Sequence, residues 1–295
     1  MRRVGSETAT YTLDPALPVL LRPDGAVQVG WDPRRAVLVQ PPRGLSTAAL
    51  ATVLRVMQIP TTGAALHHEA AQHGAVDTAE LDALLAALVT AGVAVRGAGP
   101  RRQCRTVSLR VHGRGPLSDL LVESLRCSSA VVQHSSHPHA VVSTAGTDLV
   151  VLADYLVSDP RLIRELHAER VPHLPVRVRD GTGVVGPLVL PGVTSCLGCA
   201  DLHRRDRDAA WPAVAAQLRH TVAHVDRATV LATAALALGQ VDRVIAAVRG
   251  TAAGAGLAAP PTLNATLELD LAAGSIVTRR WVRHPLCDCR GLDRH

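Results

Sequence analysis

The segment PGVTSCLGCADLHRRDRD, residues 191–208, carries two cysteines three positions apart, directly after a Pro-Gly turn. A second pair, two positions apart, follows almost ninety residues later in HPLCDC, residues 284–289. Two such pairs can place four sulfurs at the corners of a tetrahedron, the arrangement in which thiolates bind Zn²⁺. Four thiolates without water are typical of structural zinc, whose binding energy contributes directly to folding. The sequence therefore predicts a structural zinc site with the ligands Cys196, Cys199, Cys287 and Cys289.

The same cysteines leave other interpretations open. A C-x-x-C pair can be a redox or disulfide motif, although the strand-to-helix context of that motif is missing here. His284 could replace one of the thiols as a ligand. Cys104 and Cys127 stand alone in the sequence, and we expect them to be ordinary, half-buried residues.

Composition excludes several kinds of chemistry. The chain has 295 residues, of which 47% are apolar, enough to bury the core of about two domains. All 31 basic residues are arginine, so a lysine Schiff base, a P-loop lysine and a lysine general base are excluded. The net charge is +6, with the excess in residues 97–295, but the arginines are scattered and aromatic residues make up only 2%. We therefore expect no nucleic-acid partner.

The hydropathy pattern predicts a cytosolic protein without a membrane segment. The first 15 residues contain no apolar run of the kind found in signal peptides. The most apolar predicted helix, 228–248, is interrupted by Gln240, Asp242 and Arg243. In a reducing cytosol, paired cysteines favour a metal site over a disulfide.

Residues 1–96 predict a small domain of short strands and three helices. Between residues 13 and 40 apolar runs flank Asp24-Gly25, a turn typical of β-hairpins. Ser46 and Asp77 are suitable N-caps, and Gly92 ends the last helix before a closing strand in VAVRG. The predicted helices cover 46–57, 61–74 and 77–91. This order of elements is typical of a winged-helix-like domain.

After a linker at 97–103, residues 104–295 alternate between strands and helices, which predicts an α/β domain with a mainly parallel sheet. Strands are predicted at 106–113, 130–134, 148–154, 173–180 and 183–192. Helices are predicted at 116–126, 159–170, 212–224 and 227–249. A flexible connector at 250–261 precedes a period-two pattern at 265–282, which indicates an antiparallel hairpin.

A glycine turn, VHGRGPLSDLL, lies between the first strand and the first helix of this domain. Gly113-x-Gly115-x-x-Ser118 has the position of a dinucleotide-binding fingerprint, but serine replaces its third glycine. Pro116 removes one backbone donor that could face a phosphate. The turn is therefore either a degenerate nucleotide loop or a turn that keeps the backbone shape without the ligand groups, and we favour the second.

The glycine turn, the apolar strand that ends in Asp154 and the two cysteine pairs together resemble the ThiF-like superfamily, the ubiquitin-activating-enzyme fold. The resemblance covers residues 104–295 and implies a Rossmann-like domain whose cysteine pairs hold structural zinc. It also implies that Gly113, Gly115 and Asp154 correspond to the nucleotide site of active members, which adenylate a C-terminal carboxylate. Because the loop is altered and lysine is absent, we expect no bound ATP here. Homodimers are common in the superfamily, so a homodimer is one expectation.

The N-terminal stretch LPVLLRPDGAVQVGWDP and the run CLGCADLHRRDRDAAWP resemble actinobacterial cyclodehydratase or leader-peptide-binding proteins of thiazole/oxazole-modified peptide pathways. This resemblance implies that the winged-helix-like domain adds a leader peptide as a strand to its hairpin. The ThiF-like domain would then be a scaffold that presents the peptide to a separate ATP-using enzyme. The predicted function is non-catalytic leader-peptide binding. The alternatives are an ATP-dependent adenylating or cyclodehydrating enzyme of the ThiF-like class and a DNA-associated regulator.

Three further features allow more than one interpretation. His134, His137 and His139 could form a second metal site, although we expect ordinary loop residues. The charge run HRRDRD, residues 203–208, is expected at a helix start, either paired with itself or docking a partner. The apolar helix 227–249 could belong to the core or to a homodimer interface.

Overall fold

The computed structural model describes residues 9–74, 77–97, 105–136, 146–250 and 259–289. Contacts divide the chain into two compact units, one of Met1–Cys104 with Thr251–Leu257, the other of Arg105–Gly250 with Ala258–His295. The expectations for Cys104, His137 and His139 lie outside the described residues. So do those for most of the linker at 97–103 and of the connector at 250–261.

The first unit contains two small antiparallel sheets and three helices. The sheets have the strand orders β2-β3-β4 and β5-β1-β6. The predicted hairpin is present, with Gly25 at a φ of 84° in the turn between β2 and β3. The elements are β1 (Thr10–Leu13), β2 (Val19–Leu21), β3 (Val27–Val29), β4 (Val37–Val39), α1 (Thr47–Val56), β5 (Thr61–Thr62), α2 (Gly63–His73), α3 (Thr78–Thr90) and β6 (Ala94–Gly97).

Local side-chain chemistry explains where these helices begin. The hydroxyl of Ser46 accepts a hydrogen bond from the Ala49 amide, and the carboxylate of Asp77 accepts one from the Ala79 amide. The apolar stripe of α3 is buried in the core of the unit, with Leu81, Leu85 and Leu88 almost inaccessible to solvent. The three helices lie where the sequence predicts them, and the winged-helix-like description stays a prediction.

The second unit is built on one seven-stranded sheet with the order β13-β12-β11-β10-β9-β7-β8. The four strands β8, β7, β9 and β10 are parallel, as predicted, whereas β11, β12 and β13 continue the sheet in antiparallel pairs. The reversal between β10 and β11 occurs at Asp180 and Gly181, both of which have positive φ. The strands are β7 (Ser108–His112), β8 (Val131–Ser135), β9 (Leu149–Ala153), β10 (His173–Arg179), β11 (Thr182–Val185), β12 (Ala265–Asp270) and β13 (Ser275–Arg280).

Helices cover the two faces of this sheet, and alternate side chains of each strand point to opposite faces. Leu109 and Val111 belong to the core beneath α4 and α8, whereas Val150 and Leu152 belong to the core beneath α5. The helices are α4 (Pro116–Arg126), α5 (Pro160–Ala168), α6 (Leu197–Arg207), α7 (Trp211–Leu218) and α8 (Arg227–Val248).

By length and composition α8 is apolar enough to cross a membrane, a test that core helices also pass. One side of the helix packs into the core of the second unit through Val230, Ala234, Ala237 and Val241. Of the two roles expected for this helix, core or homodimer interface, the structure supports the core role for this side.

Helix α6 differs from the sequence prediction. The charge run 203–208 was expected at a helix start, but residues 203–207 form the last turns of α6. The three arginines of the last turn, Arg204, Arg205 and Arg207, are favoured there by the negative end of the helix dipole. Helix α7 ends at Leu218, six residues before the predicted end of that helix.

Candidate functional site

The two cysteine pairs converge at one point of the second unit. The sulfurs are separated by 3.7 Å between Cys196 and Cys199, 3.6 Å between Cys196 and Cys287, and 3.5 Å between Cys199 and Cys289. Zn–S bonds of about 2.3 Å in a tetrahedron require sulfurs about 3.8 Å apart, whereas a disulfide requires about 2.05 Å. The thiols are free, and their spacing matches a bound ion. Four such cysteines could therefore hold a metal ion.

Two elements position these thiols. Cys196 is the N-cap of α6, where its sulfur accepts a hydrogen bond from the Cys199 amide, and Cys199 lies in the first turn. Residues 281–289, here the tail segment, bring the second pair against this helix end. The backbone of His284 lies beside Cys199 and contributes to lowering the pKa of its thiol. The sequence prediction placed the first pair on a turn, whereas the structure places it at the start of a helix.

Burial makes simultaneous ionisation of the four thiols electrostatically unfavourable. The hydrogen bond from Cys196 lowers the pKa of Cys199 to about 4, so one thiolate is stabilised. Burial raises the pKa of Cys289 to about 12, and its thiol neighbours contribute in the same direction. Only a cation can balance four thiolates in so small a volume, and soft thiolate ligands suit zinc, copper(I) and iron–sulfur clusters.

The side chain of His284 does not join the thiols as a ligand. Its Nε2 lies 2.7 Å from the Asp206 carboxylate, and its Nδ1 accepts a hydrogen bond from the Leu286 amide at 3.1 Å. His203 lies beside it, with Nε2 at 3.0 Å from the carbonyl of Val282. His203, Asp206 and His284 lie close enough together to be considered as metal ligands. Nitrogen and oxygen ligands of one tetrahedral metal lie about 3.3 Å apart, however, so the 2.7 Å contact between His284 and Asp206 is a hydrogen bond. The group fastens the tail segment to α6.

The glycine turn lies between β7 and α4, as predicted, and its helix end is already occupied by the chain itself. The Asp154 carboxylate accepts hydrogen bonds from the amides of Leu117 at 2.9 Å and Ser118 at 3.1 Å. These amides belong to the first turn of α4, where a nucleotide phosphate binds in related sheets. A Cβ atom at Gly115 would lie 2.7 Å from the same carboxylate, and one at Gly113 would lie 2.5 Å from the carbonyl of Ala153. The fold thus brings Gly115 and Asp154 together, with the carboxylate in the place of an anion.

A cavity opens near the carboxyl ends of β7 and β9. Polar side chains that line it include His112, Tyr155, Asp159 and Arg219. Burial lowers the pKa of His112, and the charge of Arg110 contributes in the same direction. His134, the described member of the predicted histidine site, bonds instead to the Gly113 carbonyl at 3.0 Å.

The sheet β2-β3-β4 has two edge strands, β2 and β4. The Val19 carbonyl on β2 accepts a hydrogen bond from Arg55 of α1, and the Leu17 carbonyl, just before β2, accepts one from Gln58, which follows α1. On β4, the register places Leu38 opposite Gln28 of β3. The backbone N–H and C=O of Gln28 face β2, so they do not bond to Leu38. The amide and carbonyl of Leu38 therefore point outward, and no described residue bonds to them.

Sequence reasoning missed the group formed by His203 and Asp206. The available signal was the i, i+3 spacing of these residues, which places both on one face of a helix. The sequence places HRRDRD at a helix start, and nothing in this spacing shows that His203 and Asp206 contact the tail segment.

Comparison with solved structures gives matches over nearly the whole chain. The heterocyclase TruD has a TM-score of 0.65 and 16% identity, covering 97% of this chain and 43% of that one. A heterocyclase in complex with substrate and cofactor gives 0.65 and 16%, with 96% and 39% coverage. E. coli MccB with MccA-N7isoASN gives 0.56 and 14%, with 96% and 100% coverage.

The chain thus spans less than half the length of these heterocyclases and the whole length of MccB. At such identities the likeness shows a shared fold. No family model and no curated protein matches the sequence.

Proposed function

We propose that the chain is a non-catalytic leader-peptide-binding scaffold of a ribosomal-peptide modification (cyclodehydratase) system. Its first unit, winged-helix-like in this proposal, would bind the leader and present the peptide to an ATP-using partner enzyme. Support comes from the fold shared with TruD and with MccB, which was solved with the peptide MccA. The sequence resemblance to leader-binding proteins points in the same direction.

The observation that carries the proposal is the open edge of β4. An extended peptide can pair with the outward amide and carbonyl of Leu38, in the manner of β-strand addition. The Leu38 side chain is itself exposed, so an apolar side chain of the peptide would have a contact there. On the opposite edge strand, β2, the carbonyl of Val19 is already engaged by the side chain of Arg55.

The contacts of Asp154 support the non-catalytic part of the proposal. Its carboxylate uses the two amides at the start of α4 on which a phosphate would depend. A negative charge there also repels a phosphate. The cysteine cluster, in this proposal, holds one structural zinc ion per chain, which elemental analysis of the purified protein measures.

The peptide site is tested with a displayed library of linear peptides panned against the full chain. Enriched peptides are then measured by fluorescence anisotropy against two variants. Leu38→Pro removes the outward N–H at an edge position where proline is tolerated, whereas Leu38→Ala keeps it. We expect the proline variant to weaken binding at least roughly tenfold through the lost backbone bond, and the alanine variant much less.

Two outcomes would contradict the proposal. The first is a library that yields no binder. The second is a set of binders with the same affinity for Leu38→Pro and for the unmodified chain, while circular dichroism shows both to be folded.

The cavity lined by His112, Asp159 and Arg219 favours a second candidate, an ATP-dependent adenylating or cyclodehydrating enzyme. It lies near the carboxyl ends of parallel strands, where open α/β sheets bind ligands. Titration with Mg·ATP by calorimetry separates the two candidates. The scaffold predicts no binding, whereas the enzyme predicts binding and turnover that depends on the peptide.

A further inference from the structure

A group of charged side chains lies on one face of the seven-stranded sheet, beside α6. Strand register places Arg177, Val184 and Glu268 in one row across β10, β11 and β12, so their side chains share a face. Arg279 on β13 lies opposite Thr266 and therefore shares this face as well. Arg204 of α6 reaches the same face, with its guanidinium 5.4 Å from the ring of Trp281.

The carboxylates of this group are already shared among three of its arginines. Glu268 pairs with Arg179 at 3.5 Å and with Arg279 at 3.0 Å. Asp201 pairs with Arg204 at 2.8 Å and also accepts a hydrogen bond from the Trp211 indole at 3.2 Å. Together with Arg177, four guanidinium groups face two carboxylates, which leaves an excess of two positive charges.

Arg177 is the member that forms no ion pair, because Asp201 and Glu268 favour its charged form but contact other arginines. It is 8% exposed, and within the described part of the chain its guanidinium has neither a hydrogen bond nor an ion pair. Burial, followed by the charges of Arg204 and Arg179, lowers its pKa to about 10, so it stays charged at neutral pH. Burying an unpaired charge is costly, and proteins normally compensate it with an opposite charge. The group is therefore short of an anion.

The position of Arg177 fits a ligand site. Val176 pairs with Ala153, the last residue of β9, so Arg177 lies at the carboxyl end of the parallel part of the sheet. Ligands of open α/β sheets bind at this end of the strands. The start of α4, the other anion-binding feature at this end, is occupied by Asp154, so the two positions are distinct.

We propose that Arg177, Arg179, Arg204 and Arg279 form a binding site for a dianion of the phosphate class. Guanidinium groups bind phosphate oxygens through paired, charge-assisted hydrogen bonds, and an ion of charge −2 balances the excess of this group. Glu268 sets the affinity, because it holds Arg179 and Arg279 in the absence of the anion.

The test titrates the full-length protein with inorganic phosphate by calorimetry, at constant ionic strength and in a phosphate-free buffer. Arg177→Met keeps the length of the side chain without its charge. Arg280→Met is the matched control, because Arg280 lies opposite Ala265 on the other face of the sheet. We expect the dissociation constant for phosphate to rise at least roughly tenfold in Arg177→Met and to stay unchanged in Arg280→Met.

A third variant distinguishes ligand binding from a structural role. Glu268→Gln removes the competing carboxylate, so phosphate binding should tighten, the opposite of the effect at Arg177. AMP is titrated in parallel to distinguish the sources of the anion. Equal binding of AMP, with the same loss in Arg177→Met, assigns the site to a phosphoryl group on a larger molecule, and binding of phosphate alone assigns it to the free ion.

The proposal is overturned if the unmodified protein binds no phosphate at millimolar concentration. It is equally overturned if Arg177→Met and Arg280→Met bind phosphate alike. Neither outcome depends on peptide binding, so the test is independent of the proposed function.

Discussion

At the scale of single residues, the contact between Gly115 and Asp154 determines what position 115 accepts. The backbone there is extended, with φ 162°, so alanine meets no backbone strain. Its Cβ, however, would lie 2.7 Å from the carboxylate that caps α4. We predict that Gly115→Ala destabilises the protein by about 1–3 kcal/mol, measured by urea denaturation.

A matched glycine provides the control for this prediction. Gly239 lies within α8, and no atom lies within 4 Å of a Cβ built there. Gly239→Ala should therefore stabilise the protein by about 1 kcal/mol through helix propensity. If both alanine variants shift stability in the same direction, the crowding at Gly115 is not the deciding effect.

Buried His173 makes a second prediction at this scale. Its Nδ1 donates to the Val171 carbonyl at 3.0 Å, and burial lowers its pKa to about 4. An unfolded histidine titrates near pH 6.5, so between pH 6.5 and 4 the unfolded chain binds more protons than the folded one. Stability therefore falls as the pH decreases through this window. From pH 7.5 to 5, His173 alone should cost about 2 kcal/mol.

The measurement compares urea denaturation at the two pH values in the unmodified chain and in His173→Asn. Asparagine retains an N–H donor near the Val171 carbonyl but does not titrate. The variant should lose less stability on acidification. An equal loss in both proteins would assign the pH dependence to other groups, such as the buried His112 and the half-buried His167, whose pKa values are also lowered by burial.

Among individual residues, what the sequence could predict depended on spacing. The sequence predicts the grouping of Cys196, Cys199, Cys287 and Cys289 because two closely spaced thiol pairs leave few other ways to combine these residues in one site. The sequence does not predict the burial of His173, since that burial depends on which elements pack over β10. The same holds for Arg177, because only the folded chain shows which acids reach which arginines.

At the scale of elements, α6 and the tail segment are fastened by more than the thiols. Asp206 holds the ring of His284, whose backbone lies beside Cys199 and helps to lower the pKa of its thiol. Groups that orient metal ligands typically change metal affinity by about 10- to 100-fold when they are removed. We predict that Asp206→Ala lowers zinc affinity about tenfold, measured by competition with a chromogenic chelator.

Asp208→Ala is the control for this experiment. Asp208 follows α6, and its carboxylate accepts a hydrogen bond from the Ala210 amide rather than from the tail segment. Its loss should leave zinc affinity unchanged. Equal zinc release by the two variants would exclude a specific role for the Asp206–His284 contact.

Elements with local signals were predicted closely, and those with remote partners were not. Helix α4 has the predicted bounds because Pro116 fits the first turn of a helix and the apolar stripe is regular. Strand β1 was missed because its partners, β5 and β6, are about 50 and 80 residues away. Helix α6 was missed because its sequence is polar and its cysteines suggested a turn.

At the scale of the whole molecule, the two units have separate cores. The core of the first is built from residues 9–94, and the cysteine cluster belongs to the second. We predict that removal of the proposed zinc ion with a chelator increases amide hydrogen exchange in residues 105–289 and leaves residues 9–97 unchanged. Mass spectrometry of peptides from both ranges measures the two effects in one sample.

A chelator that increases exchange equally in both ranges would contradict this expectation, because it would show the units to unfold together. Addition of excess zinc before the exchange reaction is the control and should restore protection in the second unit.

The α/β class of the second unit is predicted correctly because its strands and helices alternate regularly from β7 to β10. The sequence also predicts the antiparallel hairpin of β12 and β13, but not that β11 turns back antiparallel to β10, since Asp180 and Gly181 form a turn that periodicity alone does not show. Function was less readable than fold. The resemblance suggested a peptide scaffold, but the open edge at Leu38 and the capping role of Asp154 are visible only in three dimensions.

The separation of 91 residues between Cys196 and Cys287 also has a consequence during protein synthesis. At about 5–20 residues per second, a ribosome needs roughly 5–20 seconds to translate that distance. Throughout this interval the first dithiol has been made and its partners have not, so it is open to oxidation. In the proposed zinc protein, binding of the ion by all four cysteines is therefore a late step in biogenesis. Oxidant present during translation would produce chains that fresh zinc cannot repair without a reductant.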